Sequence, residues 1–295
     1  MPEARLHDGS TIEIEIHGEG PALLLPVNPQ PVEGPRAEEL RQYGADPALG
    51  YSLIAGLADA FRVVAFDYEG QVMRVPKPGT LTPGNVVSDF LAVADAAGVE
   101  RFAYYGYSWL AMVGLQLAIR TERLSALAMG GFPPFNGPYE EMLRVTAASY
   151  DLAASQEAAE AVPASNEGAS DDSDDSDDSD DSDDDEWSSA GLSKDQARQF
   201  LTLYEALRGF DDRAAQARVR CPRLCFVGSA DAIQYGKRWG DVSVSLAAPI
   251  VQGREHLEML GWDVRVLEGL DHMQAMQAVQ VLPILRPWLT SHLFA

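Results

Sequence analysis

The chain has 295 residues, 22 Lys and Arg against 45 Asp and Glu, a formal net charge of −23 and a globular composition of 46% hydrophobic and 8% aromatic side chains. That length is ample for a sizeable buried core, and two cysteines, Cys221 and Cys225, exclude a disulfide scaffold and disfavour a structural zinc site. The apolar runs, such as Ala22–Leu25 and Leu110–Val113, are too short to span a membrane and the first residues hold no signal-peptide core, so a cytoplasmic location is expected.

The charge is concentrated in one stretch. From Asp171 to Glu186 the sequence reads DDSDDSDDSDDSDDDE, and between Arg144 and Lys194 there are 16 acidic residues and no basic one. Without that interval the remainder carries −7, an ordinary surface. Nucleic-acid binding needs clustered Lys and Arg and is not expected. The tract itself reads as a solvated, disordered loop at 163–186; loose calcium binding and docking to a basic partner are weaker readings, since no EF-hand spacing is present.

In chain order, Leu6 and Thr11–Ile16 around Asp8-Gly9 predict a hairpin with Ile12, Ile14 and Ile16 on one face. Apolar β-rich runs follow at Ala22–Leu25, Arg62–Phe66, Phe102–Tyr105, Ala126–Met129, Arg223–Val227 and Val264–Leu267. Most lack polar alternation, as expected for strands covered on both faces. A helix is predicted from Pro83 to Ala97, with Thr82 as N-cap and Val86, Phe90, Val93 and Ala97 on its buried stripe. A second runs from Trp109 to Arg120 and is apolar on all sides. Further helices are expected at Tyr139–Tyr150, Lys194–Arg208, Glu255–Leu260 and from Met273 onward, the last bent or broken at Pro283 and Pro287. The alternation predicts an α/β protein: a mostly parallel central sheet flanked by helices, formed by 1–134 and 216–295, with a helical cap inserted at 135–215.

The residues with chemical potential sit at strand ends. Ser108, in Gly106-Tyr107-Ser108-Trp109-Leu110, lies on a strand-to-helix turn, the place where a serine is held strained and presented above a sheet. His272 follows one strand and Asp231 another, so a nucleophile, an acid and a base come in that chain order. Asp271 is the rival acid, and Asp231 has an alternative as cap of a helix at Ala232–Tyr235.

This pattern resembles the α/β-hydrolase superfamily over Leu6–Pro133 and Val219–Leu289. The resemblance implies Ser108 as nucleophile, His272 as base and Asp231 as acid, with an oxyanion hole made by the backbone N–H groups of Asn28 and Trp109. The segment Pro26-Val27-Asn28-Pro29 keeps only the last residue of the usual His-Gly-x-Pro, Leu110 stands where Gly is usual, and Asp67-Tyr68-Glu69-Gly70 resembles the D-x-x-G turn. Tyr107, Phe132, Phe135 and Met273 are expected to line an apolar acyl pocket. The expectation is a serine hydrolase of a small, largely apolar ester, lactone or thioester, needing no metal or organic cofactor and acting on a small molecule. A weakly active or inactive ligand-binding relative and an acyltransferase of the same fold stay open; oligomeric state is not legible.

Overall fold

The computed structural model describes residues 2–42, 44–160 and 191–294, so the tract at 163–186 lies outside the described residues. The strands are β1 (Glu3–Arg5), β2 (Thr11–Glu13), β3 (Glu15–His17), β4 (Ala22–Leu25), β5 (Arg62–Ala65), β6 (Phe102–Tyr107), β7 (Leu124–Gly130), β8 (Arg223–Gly228), β9 (Ala232–Tyr235), β10 (Val242–Ser245) and β11 (Trp262–Leu267). Seven form the main sheet in the order β11-β8-β7-β6-β4-β5-β3, parallel throughout except at β3. The short pairs β1–β2 and β9–β10 are antiparallel ribbons outside it.

The helices are α1 (Pro35–Gln42), α2 (Leu49–Leu57), α3 (Tyr68–Arg74), α4 (Pro83–Ala96), α5 (Trp109–Ala118), α6 (Tyr139–Glu160), α7 (Lys194–Glu205), α8 (Asp212–Ala215), α9 (Ala247–Gln252), α10 (Arg254–Met259), α11 (His272–Ala275) and α12 (Ala278–Leu293). None among the described residues is long and apolar enough to cross a membrane.

The period of two in a strand divides the core into two halves, one on each face of the sheet. Leu24, Val64, Tyr104, Leu127 and Cys225 join α4 and α5 on one side. Leu23, Val63, Ala103, Ala126 and Leu224 join α2 and α12 on the other. Because both faces are covered, the middle residues of the central strands are apolar on both sides, and that produces the near-unbroken hydrophobic runs in the sequence. Each fully buried Leu, Val or Phe contributes about 1.5–3 kcal/mol. The cysteines belong to this packing: burial lifts Cys221 to about 11 and pushes Cys225 up further, so neither is an activated thiol.

α4 starts as predicted, with Thr82 accepting from Asn85 N–H and Pro83 in the first turn. α5 is buried from Leu110 to its end. Two expectations are corrected and one alternative is closed. Ile16 is exposed while Ile12 and Ile14 are buried, because the chain leaves the β1–β2 ribbon at Ile14 and joins the sheet edge as β3. The alternative in which Asp231 caps a helix at Ala232–Tyr235 is closed, because that segment is a strand. The C-terminal helix is interrupted at Met276-Gln277 and runs through both prolines. Pro283 and Pro287 stand four apart on the exposed face, where water can satisfy the carbonyls they leave unpaired. Finally, α1, α2 and α3 were not foreseen.

Among the described residues no strand lies between β7 and β8. There α7, started by the Ser193–Gln196 capping box, packs against α6 and is fixed to α3 and the segment after it by side chain–backbone bonds. Gln199 bridges Val72 C=O (3.1 Å) and Lys77 N–H (3.0 Å), Gln196 donates to Met73 C=O (2.8 Å), and Thr202 accepts from Gly79 N–H (3.1 Å).

Candidate active site

β6 ends at Tyr107 and α5 begins at Trp109, so a single residue makes the turn between them. That residue, Ser108, has φ +56° and ψ −131°, a conformation costly for any side chain other than glycine. Its N–H donates to Gly130 C=O at 2.9 Å, and its own carbonyl receives Ala111 N–H at 2.9 Å. The turn requires glycine at 106: a Cβ there would lie 2.5 Å from Leu110 O. Leu110 is buried there, and its carbonyl accepts the Tyr104 hydroxyl at 2.7 Å. Close helix–strand approach is provided one turn on, where a Cβ on Gly114 would sit 2.7 Å from the Tyr104 ring.

Asp231 lies just past β8 and is fully buried. Its Oδ2 stands 2.8 Å from Nδ1 of His272, while Oδ1 meets no donor among the described residues. The β9–β10 ribbon returns the chain so that Leu246 N–H and Ala247 N–H donate to the Asp231 carbonyl at 3.1 and 3.0 Å. His272 opens α11. Asp271 is spent as the N-cap of that helix, accepting from Gln274 N–H at 2.8 Å, which leaves Asp231 as the partner of the imidazole. Tyr107 supports the same loop, its hydroxyl donating to His272 C=O at 2.8 Å and its ring 5.0 Å from the imidazole. Burial keeps that phenol far above its usual range, so it stays a neutral donor. Ser108 and His272 are not hydrogen-bonded to each other; they line the same cavity. Such links are often long before substrate arrives.

Two cavities meet at the elbow. The first, about 350 Å³, includes Asn28, Leu49, Tyr107, His272, Met273 and Met276 in its wall. The second, about 490 Å³, lies under α6 and α7 and is lined by Phe132, Met142, Val145, Phe200 and Ile233 among others. Ser108, Trp109, Glu69 and Gly70 belong to both. The backbone N–H groups of Asn28 and Trp109 have no acceptor among the described residues, so both are open to a ligand oxygen. Gly50 lets the Asn28 loop pack closely, since a Cβ there would fall 1.9 Å from Asn28 O. Of the expected pocket residues, Tyr107 and Met273 reach the first cavity and Phe132 the second. Phe135 reaches neither: it is buried against His256 and under Arg213 and is a packing residue.

Glu69 joins the cavity walls without having been expected there. Asp67 caps α3 by accepting Gly70 N–H at 2.9 Å, and this first turn buries Tyr68 against Asp89 while presenting Glu69 to the cavity space. Glu69 is an exposed residue that borders both cavities. Desolvation raises its carboxyl above the ordinary range, the Trp109 indole opposes that, and Asp67 adds to it. The sequence signal was present in Asp67-Tyr68-Glu69-Gly70: a cap three residues before Gly fixes which residue of the first turn faces outward from the sheet end. Among the described residues, no three His, Cys, Asp or Glu side chains converge as a metal-binding group.

No family model matches the sequence. A protein of Klebsiella pneumoniae (strain ATCC 700721) named "Putative carbamate hydrolase RutD" is 34% identical over 77 residues, 25% of this chain and 29% of that protein. Its namesake in Agrobacterium fabrum is 30% identical over 84 residues, 28% and 31% of the two chains. The chain therefore matches less than a third of the length of these curated relatives. Solved structures cover it almost entirely. The enol-lactonase of Burkholderia xenovorans LB400 superposes with a TM-score of 0.57 at 19% identity over 98% of this chain and 100% of its own. An esterase of Thermogutta terrifontis gives 0.59 at 16% over 99% and 98%, and an alpha/beta fold family hydrolase of Bacillus anthracis 0.54 at 14% over the same shares. The fold is the α/β-hydrolase fold.

Proposed function

We propose that this chain is a serine hydrolase acting on a small, largely apolar carboxylic ester, lactone or thioester. The observation that carries the reading is Ser108 at positive φ on the strand–helix turn, sharing a cavity with an imidazole whose Nδ1 is held 2.8 Å from a buried carboxylate. The names of the structural neighbours, an enol-lactonase and an esterase, agree with acyl chemistry, and the partial relatives' name widens it to carbamates.

In the proposed reaction Ser108 Oγ attacks the acyl carbon while His272 Nε2 takes its proton. Asp231 holds the Nδ1–H tautomer and stabilises the imidazolium, and the Asn28 and Trp109 N–H groups receive the oxyanion. Collapse expels the leaving group, protonated by His272, and leaves an acyl-Ser108. Water, deprotonated by His272, then releases the acid and restores the serine. The described part of 135–215 serves as a cap, with α6 and α7 roofing the second cavity.

The test is covalent labelling by a fluorophosphonate followed by a panel of p-nitrophenyl esters and lactones. Labelling confined to Ser108, with turnover abolished in Ser108→Ala, is expected. An unlabelled Ser108 in a folded protein would move the assignment to a ligand-binding protein. Acyl transfer to added alcohols in preference to water would move it to an acyltransferase.

A further inference from the structure

Ser108 follows β6 at the C-terminal end of the parallel strands; the opposite end is built by the segments that lead into β6, β7 and β8. These strands are neighbours, so their leading segments meet: Phe102 N–H donates to Arg123 C=O (3.0 Å) and Leu127 N–H to Pro222 C=O (2.9 Å). Each segment brings arginine. Arg101 precedes β6, Arg120 precedes β7, and Arg218 and Arg220 precede β8. All four line one cavity of about 590 Å³, larger than either at the elbow, and Glu122 is the one carboxylate among its described walls.

The four side chains are exposed, and none pairs with a carboxylate among the described residues. By contrast Arg123, next in the chain to Glu122, is matched by Asp95 at 2.7 Å. Arg120 is braced by Gln116 C=O (3.1 Å) and by the fully buried Gln116 side chain, Arg218 by Ile119 C=O, and Arg101 by Glu122 C=O at 3.5 Å. The first two finish the C-terminal end of α5, where cations are favoured. That role spends one or two of the five N–H donors on each guanidinium and does not account for Arg101 or Arg220. Like charges around one open space repel each other; partial burial, and then the Arg218 charge, lower the Arg120 guanidinium from its ordinary value. An anion that bridges the guanidiniums relieves the repulsion.

We infer that this cavity binds a small phosphate-bearing compound, at a second site on the end of the sheet opposite Ser108. Planar guanidinium forks meet phosphate oxygens two at a time, and Thr121 and Ser125 add hydroxyls to the same wall. Ile119, Leu124 and Pro222 offer an apolar side to the organic part of the ligand. None of the exposed large apolar side chains of the described residues belongs to the wall, so the phosphate is that of a free molecule and not of a bilayer. The site is independent of the reaction at Ser108.

The test is calorimetric titration of the full chain with pyrophosphate and with citrate, in EDTA so that no metal ion bridges anion and carboxylate. Pyrophosphate should bind once per chain with a Kd of about 100 μM or tighter, and citrate at least about tenfold more weakly. The double variant Arg101→Ser, Arg220→Ser leaves the bonds to the end of α5 intact and should weaken pyrophosphate about tenfold or more. Arg144→Ser, on α6, should leave it unchanged. Unaltered affinity in the double variant, citrate bound as tightly as pyrophosphate, or no saturable binding below about 1 mM overturns the inference. Cosedimentation with phosphatidic acid vesicles that the double variant loses would overturn the free-molecule assignment and place the phosphate on a lipid.

Discussion

Replacing Asp231 by Asn separates catalytic from structural roles at one atom. The side chain keeps its size and can still accept from Nδ1, but the charge facing the imidazolium is lost. At the observed 2.8 Å, an effective dielectric constant of about 20 gives a Coulombic limit of about 6 kcal/mol, or roughly four decades in rate. The effect on folding should be opposite. Asp231 is fully buried and its Oδ1 has no donor among the described residues, so desolvation of the carboxylate is only partly offset. Removing a buried charge of this kind is neutral or stabilising by about 1 kcal/mol. The assay is kcat/KM on one p-nitrophenyl ester beside a thermal melt of both proteins. A rate loss under about tenfold would show that the pair does not serve catalysis. A loss of several degrees in Tm would show that the carboxylate is a structural anchor.

Three other outcomes are expected. Ser108→Gly should be more stable than Ser108→Ala by about 1 kcal/mol in denaturant melts, because glycine alone relieves φ +56°, while both lose turnover. Tyr107→Phe removes one neutral hydrogen bond to the His272 loop and should lower kcat/KM about tenfold or less, with fluorophosphonate labelling of Ser108 slowed but retained. Lys77 is fully buried against Asp8, so Asp8→Ala should cost about 3 kcal/mol in urea unfolding whereas Lys77→Met should stay within about 1 kcal/mol. Burial alone would raise the Asp8 carboxyl, but bonds from Lys77 and Ser10 outweigh it and hold it at about 2. The stability it brings is therefore complete above the unfolded carboxyl value of about 3.9 and is lost as pH falls towards 2, a limb that Asp8→Asn should lack.

The main sheet was legible because its strands are covered on both faces, and such runs as Leu23-Leu24-Leu25 and Val63-Val64-Ala65 carry that condition in their composition. The β9–β10 ribbon was not, since Ala232–Tyr235 alternates in exposure outside the sheet and is as short as a helical turn. α1 escaped notice for a similar reason: Pro35–Gln42 buries only Ala37 and shows no apolar stripe. Strand-end logic brought Asp231 and His272 together from 41 residues apart, because parallel neighbours β8 and β11 deliver their following loops to one edge. Phe135 was misplaced because apolar residues near an elbow look alike until packing decides which of them face the core.

The four side chain–backbone bonds that seat α7 on residues 72–79 bear on how substrates are sorted by size. An apolar contact slides, and a chamber closed by one swells gradually as its guest grows. A hydrogen-bonded seat has discrete donors and acceptors, and shifting it strands buried polar groups at about 1–3 kcal/mol each. Along a homologous series of acyl chains, specificity should therefore climb by up to about 0.8 kcal/mol for each methylene buried in the second cavity and then fall abruptly at one length, giving a sharp edge in place of a broad maximum.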